Sequence, residues 1–163
     1  GNQRKRVEGD FEEKLILRLL SEQKTVIIID KGFGEEELTR TENLPSNMEK
    51  YGVKTANANF AETKVSDFNH GIIGMQLEIG EAAAIISHSS EFIGYDSACQ
   101  HIAAAVGVPT CTIFAGTNDT RFVRRWRAFG PSHSGLVHVD TLTKHLYFDS
   151  FDIIDRIMDA RKQ

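Results

Sequence analysis

Asp96, Ser97 and His101 stand at the start of an alanine-rich stretch that favours a helix. The first backbone N–H groups of a helix have no partner inside it, and the helix dipole adds partial positive charge there, so this end of a helix suits a phosphate. Ser97 is a good N-cap residue, and Ala98 is small enough to let a ligand approach the backbone closely. His101 follows Ser97 by one turn on the same face and could donate to a phosphate or a sugar hydroxyl.

Asp96 has the same sign of charge as a phosphate and would repel it. We therefore expect its carboxylate to accept hydrogen bonds from sugar hydroxyls or to fix the turn. A purely structural interpretation is also open. In it, Asp96 and Ser97 merely cap the helix, and His101 is a half-buried core histidine.

Lys31, Gly32 and Gly34 form a second candidate segment, directly after the β-branched run TVIIID. Glycine permits backbone conformations that are closed to other residues, and the lysine brings a cation to the end of a strand. The segment is either a second loop beside the phosphates or ribose of a ligand or an ordinary turn with a solvated lysine. Glu37 stands where a dinucleotide-binding fingerprint needs its third glycine, and the sequence has no P-loop, so ordinary dehydrogenases and P-loop enzymes are poor fits.

A third candidate segment alternates arginines with aromatic residues between Arg121 and Phe129, inside a loop predicted over residues 115–134. Such a mixture can bind phosphates and stack on bases. It can equally form an interface in which Trp126 packs and the arginines stay hydrated. The six histidines of the chain show no spacing typical of a metal site.

Alternating strand and helix patterns place these residues at strand ends. The clearest unit is a strand, helix and strand over residues 92–114, and such a connection makes the two strands parallel. Ligands bind at the carboxyl edge of parallel sheets, so Gly116 and Thr117 should face the same edge as Asp96. The predicted helices cover residues 11–20, 35–44, 79–87, 98–106 and 150–161, the last capped by Ser150 with Phe151, Ile154 and Ile157 on one face. The predicted strands cover residues 25–30, 71–75, 92–95, 110–114 and 136–139, with a weaker one over 51–55.

The length of the chain indicates one domain, and the alternation of strands and helices indicates an α/β class. We predict a frayed leader or linker over residues 1–10 and a single three-layer, Rossmann-like domain with a mainly parallel sheet over residues 11–163. The formal net charge of −4 argues against a dedicated nucleic-acid binder. No apolar run approaches the roughly 20 residues of a membrane span and no signal peptide is visible, so we expect a cytoplasmic protein. Cys99 and Cys111 are expected to be reduced core thiols.

The stretch from Gly94 to Thr117 resembles the signature of a known family. The pattern D-[S/T]-[G/A]-x-x-H-x-A-A-x-x-G-x-P-x is matched by Asp96, Ser97, Ala98, His101, Ala103, Ala104, Gly107 and Pro109. This pattern marks the C-terminal half of family 9 glycosyltransferases, the ADP-heptose:lipopolysaccharide heptosyltransferases. The helix predicted over 79–87 and the later run Phe129-Gly130-Pro131 are similar to segments that flank the signature in that family.

The resemblance implies one half of a GT-B architecture, in which two Rossmann-like domains face a cleft and the C-terminal one holds a nucleotide-diphosphate sugar. In that family the strand-to-helix turn and its histidine contact the donor, as do residues after the first strand of the domain. Glu62 is a candidate for the acidic ligand of the ribose. With the strand-end residues above, the expected donor-binding set is Lys31, Gly32, Gly34, Asp96, Ser97, Ala98, His101, Gly116 and Thr117.

The expected function is that of the donor-binding half of an inverting, metal-independent glycosyltransferase, with no cofactor and with an ADP-sugar favoured as donor substrate. The acceptor would be a saccharide or glycolipid. The general base is expected in an N-terminal GT-B domain outside this chain. Any membrane contact would be peripheral, at the inner face. Two alternatives stay open: a non-catalytic glycosyltransferase-like binding or scaffold module, and a nucleotide-sugar epimerase of the same architecture.

Overall fold

The computed structural model describes residues 5–32, 34–61, 67–143 and 149–162 of the chain. Within these residues helices and strands alternate. The helices are α1 (Phe11–Glu22), α2 (Glu35–Glu49), α3 (Ile79–Ser87), α4 (Ala98–Ala105), α5 (Thr120–Trp126) and α6 (Ser150–Ala160). The strands are β1 (Val26–Asp30), β2 (Thr55–Ala58), β3 (Gly71–Met75), β4 (Phe92–Tyr95), β5 (Thr110–Phe114) and β6 (Ser134–His138).

The chain divides into two compact units, Glu12–Glu81 and a second one made of Gly1–Phe11 with Ala82–Gln163. Each unit contains a three-stranded sheet in which every pair is parallel, in the order β1-β3-β2 in the first unit and β4-β5-β6 in the second. The predicted Rossmann-like α/β class with parallel strands is confirmed. The single domain predicted over residues 11–163 stays a prediction.

The sheet of the second unit is built around β5, all five of whose residues are buried. Its β-branched and aromatic side chains suit a central strand that is covered on both faces. Helix α4 lies against β4 and β5 and buries the small side chains of Ala103 and Ala104. Helix α6 lies against β6 and buries Ile153, Ile154, Ile157 and Met158.

The sheet of the first unit is built around β3, whose five residues are likewise buried. An apolar core holds this unit together. Its buried members are Ile16, Leu20, Leu44, Met48 and Ile72. Helices α1 and α2 supply four of these five side chains, so they form because their apolar faces are buried and not through helix propensity alone.

Helix α2 is longer than its sequence predicts. It was expected over residues 35–44, but it continues to Glu49 with Pro45 inside it. Proline removes a backbone donor and usually ends or kinks a helix. Leu44 and Met48 are both buried in the core of the first unit, so the burial of apolar residues on either side of Pro45 outweighs this local penalty.

Two further element predictions are wrong. A strand is predicted over residues 51–55, but residues 51 and 52 form a turn in which Gly52 has φ +76°. The strand in this region is β2, which begins at Thr55. The loop predicted over 115–134 contains α5. Asp119 starts this helix, because its carboxylate accepts a hydrogen bond from the N–H of Arg121.

The last helix also differs in detail. Its N-cap is Asp149 and not Ser150, because the Asp149 carboxylate accepts from the N–H of Phe151 at 2.9 Å. Ile154 and Ile157 are buried as predicted, whereas Phe151 is exposed. The buried stripe is centred between Ile153 and Ile157, and Phe151 lies at its flank.

Cys99 and Cys111 are thiols that do not form a disulfide, as predicted, and Cys111 is wholly buried in β5 while Cys99 is half-buried in α4. Burial, followed by the charge of Glu91, raises the pKa of the Cys111 thiol to about 12 against an opposing effect of Arg161. Cys111 therefore stays protonated and unreactive at neutral pH. Among the described residues, no helix is both long enough and apolar enough to cross a membrane.

Gly130 tests the packing of the second unit. A Cβ atom at this position would meet the carbonyl oxygen of Ala104 at 2.0 Å, and backbone cannot yield as a side chain can. We expect Gly130→Ala to lower the free energy of unfolding by about 1–3 kcal/mol, measured by chemical denaturation. Gly80→Ala is the matched control, because nothing lies within 4 Å of the Cβ position of Gly80. Gly80 lies in helix α3, so this substitution should raise the free energy of unfolding by up to about 1 kcal/mol. Equal stabilities of the two variants would contradict the packing described for Gly130.

Candidate functional site

The candidate site lies at the carboxyl edge of the β4-β5-β6 sheet. Tyr95 is paired with Ile113 and Phe114 with His138 in parallel register, so the three strands end at the same edge. The chain leaves these strand ends through residues 96–98, 115–117 and 139–141. The second unit thus brings Asp96, Ser97, Ala98, His101, Gly116 and Thr117 to one side of its sheet, as the sequence predicts.

The start of α4 is open to solvent. Ser97 occupies the N-cap position in an extended conformation, but its side chain makes no capping hydrogen bond. Ser97, Ala98 and His101 are all exposed. The first N–H groups of α4 therefore do not donate to the Ser97 hydroxyl. The alternative in which His101 is a half-buried core histidine is wrong.

The Asp96 carboxylate is held by two side chains. Lys5 Nζ donates to Oδ2 at 2.7 Å, and Gln100 Nε2 donates to Oδ1 at 2.9 Å. The Asp96 side chain is only 11% exposed, whereas that of Lys5 is 40% exposed. A carboxylate with so little access to water needs such partners, and here one is a cation and the other a neutral amide.

The N-terminal segment packs beside this carboxylate. Val7 is buried, and its N–H donates to the Tyr95 hydroxyl at 3.2 Å. The guanidinium of Arg6 lies 5.3 Å from the centre of the Tyr95 ring, and Lys5 Nζ lies 5.9 Å from that of Phe122. Residues 5–7, which belong to the predicted leader, therefore pack beside the candidate site and are not frayed.

The loops after β5 and β6 hold each other. Gly116 has φ +74°, a conformation that favours glycine, and its N–H donates to Thr141 Oγ1 at 2.7 Å. His138 Nε2 lies 2.8 Å from the carbonyl oxygen of Thr117, which places the ring proton on Nε2. Asp140 orders the next turn. The Thr143 hydroxyl, more than the backbone N–H groups and His138, holds the pKa of the Asp140 carboxyl below its ordinary value.

Helix α5 presents the arginine-rich segment. Phe122 packs edge-on against buried Phe114, with ring centres 6.4 Å apart. Trp126 is 46% exposed and Phe129 is 76% exposed. The exposed arginines of this segment are Arg121, Arg124, Arg125 and Arg127. It stays a prediction that Trp126 packs in an interface, and it stays a prediction that the arginines bind phosphates.

The Lys31 segment belongs to the first unit. Lys31 N–H donates to the carbonyl oxygen of Met75 at 2.7 Å, so the segment continues the edge of the β1-β3-β2 sheet. Gly32 has φ +69°, and its N–H donates to Asp30 Oδ1 at 3.0 Å. Gly34 is the N-cap of α2. The segment follows β1 as predicted. That Lys31, Gly32 and Gly34 belong to the same site as Asp96 stays a prediction.

Some predicted features fall elsewhere. Glu62 lies outside the described residues. Among the residues that the structure describes, no group of three or more His, Cys, Asp or Glu side chains could hold a metal ion. A surface depression of about 340 Å³ lies between β6 and α6, lined by residues such as His133, Arg156 and Asp159, and it contains none of the predicted donor ligands.

Sequence reasoning missed Lys5, Gln100 and Thr141. For Gln100 a signal existed, because Ser97-x-x-Gln100 has the spacing of a capping box, in which the glutamine reaches back to the N-cap. The side chain instead binds Asp96. For Lys5, 91 residues before Asp96, no local pattern predicts the contact.

Residues 41–141, more than half of the chain, match the model of Glycosyltransferase family 9 (heptosyltransferase). The chain belongs to glycosyltransferase family 9. The resemblance noted in the sequence is thereby confirmed, and the signature around Asp96 lies within the matched residues of this family 9 chain.

Two proteins that are similar to the family 9 chain are longer than it is. Over 46 residues it is 50% identical to lipopolysaccharide heptosyltransferase 3 of Escherichia coli, a stretch that makes up 28% of the chain and 13% of that protein. The crystal structure of the glycosyl transferase family 9 from Veillonella parvula DSM 2008 superposes with a TM-score of 0.54 at 14% identity, over 99% of this chain and 42% of that one. At this identity the superposition shows the fold alone. The chain spans less than half the length of either relative.

The Lys5–Asp96 ion pair has a measurable signature. Since Lys5 is partly exposed, we expect Lys5→Ala to lower the free energy of unfolding by at most about 1 kcal/mol at low ionic strength. The loss should shrink in about 1 M NaCl, where the Debye length is only about 3 Å. Urea denaturation at both salt concentrations measures this, with Lys162→Ala as the control because that lysine is exposed in the same unit. A loss that is the same in both salts would mean that the lysine stem packs and the charge does not contribute.

Proposed function

We propose that this chain is the nucleotide-diphosphate-sugar-binding half of an inverting, metal-independent glycosyltransferase that acts on a glycan or lipid-linked saccharide. The supporting observation is the start of α4, which is exposed and not capped by the Ser97 side chain. An ADP-sugar is the favoured donor. The inverting course, the absence of a metal requirement and the choice of donor rest on the family resemblance.

In this proposal the diphosphate lies against the first N–H groups of α4 and the Ser97 hydroxyl. His101 donates to a phosphate oxygen or a sugar hydroxyl, and Lys31 adds a cation after β1. The Asp96 carboxylate, already neutralised in part by Lys5, accepts from sugar hydroxyls. Lys5 and Gln100 hold the Asp96 carboxylate in place without a ligand, and such preorganisation is the condition for effective electrostatic stabilisation.

The transfer itself would need a second domain. An acceptor hydroxyl attacks the anomeric carbon, the bond from that carbon to the diphosphate breaks, and the diphosphate leaves with the electron pair. Developing charge on the diphosphate is stabilised by the α4 N–H groups and Ser97. A base in an N-terminal GT-B domain takes the acceptor proton. The partners are therefore that domain and a saccharide or glycolipid acceptor, at a cytoplasmic site with peripheral membrane contact at most.

Nucleotide binding tests the proposal directly. A ligand at 100 times its Kd stabilises a fold by about 2.7 kcal/mol and so raises its melting temperature. Because an ADP-sugar is the favoured donor, we expect ADP to give the largest rise among ADP, UDP, GDP and CDP. If the melting temperature does not change, ligand-observed NMR at millimolar nucleotide detects weaker binding. A chain that binds none of the four in either measurement would be a scaffold module and not a donor-binding half.

Two substitutions locate the site. Asp96→Ala and His101→Ala should each weaken the binding of ADP-glucose by about tenfold, because each removes one hydrogen bond to the donor, charge-assisted in the case of Asp96. Isothermal titration calorimetry measures the affinity. Asp155→Ala and His88→Ala are matched controls at exposed positions of the same unit. Normal binding by both site variants would show that the donor binds elsewhere.

A further inference from the structure

Gln100 is a wholly buried polar residue that no part of the proposed function uses. Its exposed fraction is 0%. Its Nε2 donates to Asp96 Oδ1 at 2.9 Å and, at the long distance of 3.4 Å, to the carbonyl oxygen of Trp126. Its Oε1 has no hydrogen-bond partner among the residues that the structure describes.

The orientation of this amide is fixed by its neighbours. Both groups beside Nε2, a carboxylate and a carbonyl, can only accept hydrogen bonds, so the NH₂ must face them. Turning the amide over would set its oxygen against the Asp96 carboxylate. The unpaired oxygen is therefore a consequence of binding Asp96.

Burying an amide oxygen without a partner destabilises a fold. Gln100 also does not complete a capping box, although it lies three residues after Ser97, because its Oε1 accepts no hydrogen bond from the N-cap residue. Its one good hydrogen bond goes to the carboxylate at the candidate site. A buried group that lowers stability and contacts a site residue points to a functional role and not to a role in folding.

We propose that Gln100 is a positioning residue, which orients the Asp96 carboxylate toward the hydroxyls of the donor sugar. The terminal torsion of an aspartate is soft, so its oxygens turn unless they are held. Lys5 holds them only weakly, because its side chain is 40% exposed and such ion pairs contribute little. Gln100, locked by burial, fixes Oδ1 and thereby the lone pairs that remain for the ligand. This inference rests on the proposed function and adds to it the residue that orients Asp96 for binding the sugar.

Gln100→Met separates function from stability. Methionine has a similar length and removes the unpaired oxygen, but it also removes the donor to the Asp96 carboxylate. These two effects on stability oppose each other, so the melting temperature should change little. The affinity for ADP-glucose should fall about tenfold, while that for ADP should change less, since Asp96 serves the sugar. Gln23→Met, at an exposed position, is the control and should leave both affinities unchanged. A lower melting temperature with unchanged affinities would overturn the proposal, because Gln100 would then be structural.

A double-variant cycle shows whether Gln100 acts through Asp96. In the Asp96→Ala background, Gln100→Met should weaken the binding of ADP-glucose no further. An additional loss equal to that in the unchanged chain would mean that Gln100 acts on another group, and the proposal would fail.

A ligand-free measurement separates this inference from the proposed function. The carboxamide protons of Gln100 should exchange slowly with water by NMR, and this protection should be lost in Asp96→Ala. If the chain binds neither ADP nor ADP-glucose and this pattern is seen, the proposed function fails while the orientation of Asp96 by Gln100 stands. If the protons exchange quickly, or stay protected in Asp96→Ala, the positioning role is refuted whatever the chain binds.

Discussion

The parallel pairing of β5 with both β4 and β6 is the constraint on which the candidate site depends. Parallel strands send all their carboxyl ends to one edge, and the helices that follow must begin there. Residues 96–98, 116–117 and 139–141 become neighbours for this reason alone. The buried residues of β5 hold the register, and polar residues follow directly after the strand ends.

Asp96 connects this edge to the rest of the second unit. Its carboxylate binds Gln100 within α4 and Lys5 in the N-terminal segment, and Gln100 reaches on toward the end of α5. A carboxylate in such a confined place requires partners, and these partners join elements that are far apart in sequence. In the same arrangement Ser97 and His101 are exposed, while Asp96 is engaged by its two partners.

Membership of glycosyltransferase family 9 gives this geometry its chemical meaning. A diphosphate needs hydrogen-bond donors and positive potential, whereas the sugar needs acceptors for its hydroxyls. In the site proposed above, the start of α4 would supply the donors and Asp96, one residue before Ser97, the acceptor. Helix α5 carries the exposed arginines Arg121, Arg124 and Arg125, although the formal net charge of the chain is −4.

Local patterns alone determined the strands β3, β4 and β5, the helix α3, the turn at Gly107 and the signature of Asp96, Ser97 and His101, because each depends on residues within a few positions of one another. Where long-range burial opposed a local rule, the local prediction was wrong, as with α2, which continues through Pro45 because Leu44 and Met48 enter a core. The state of Asp96 could not be predicted at all. Only the folded chain brings Lys5 across 91 residues to its carboxylate and turns Gln100 from a helix cap toward the same group, because contacts between distant segments are decided by the packing of the whole unit.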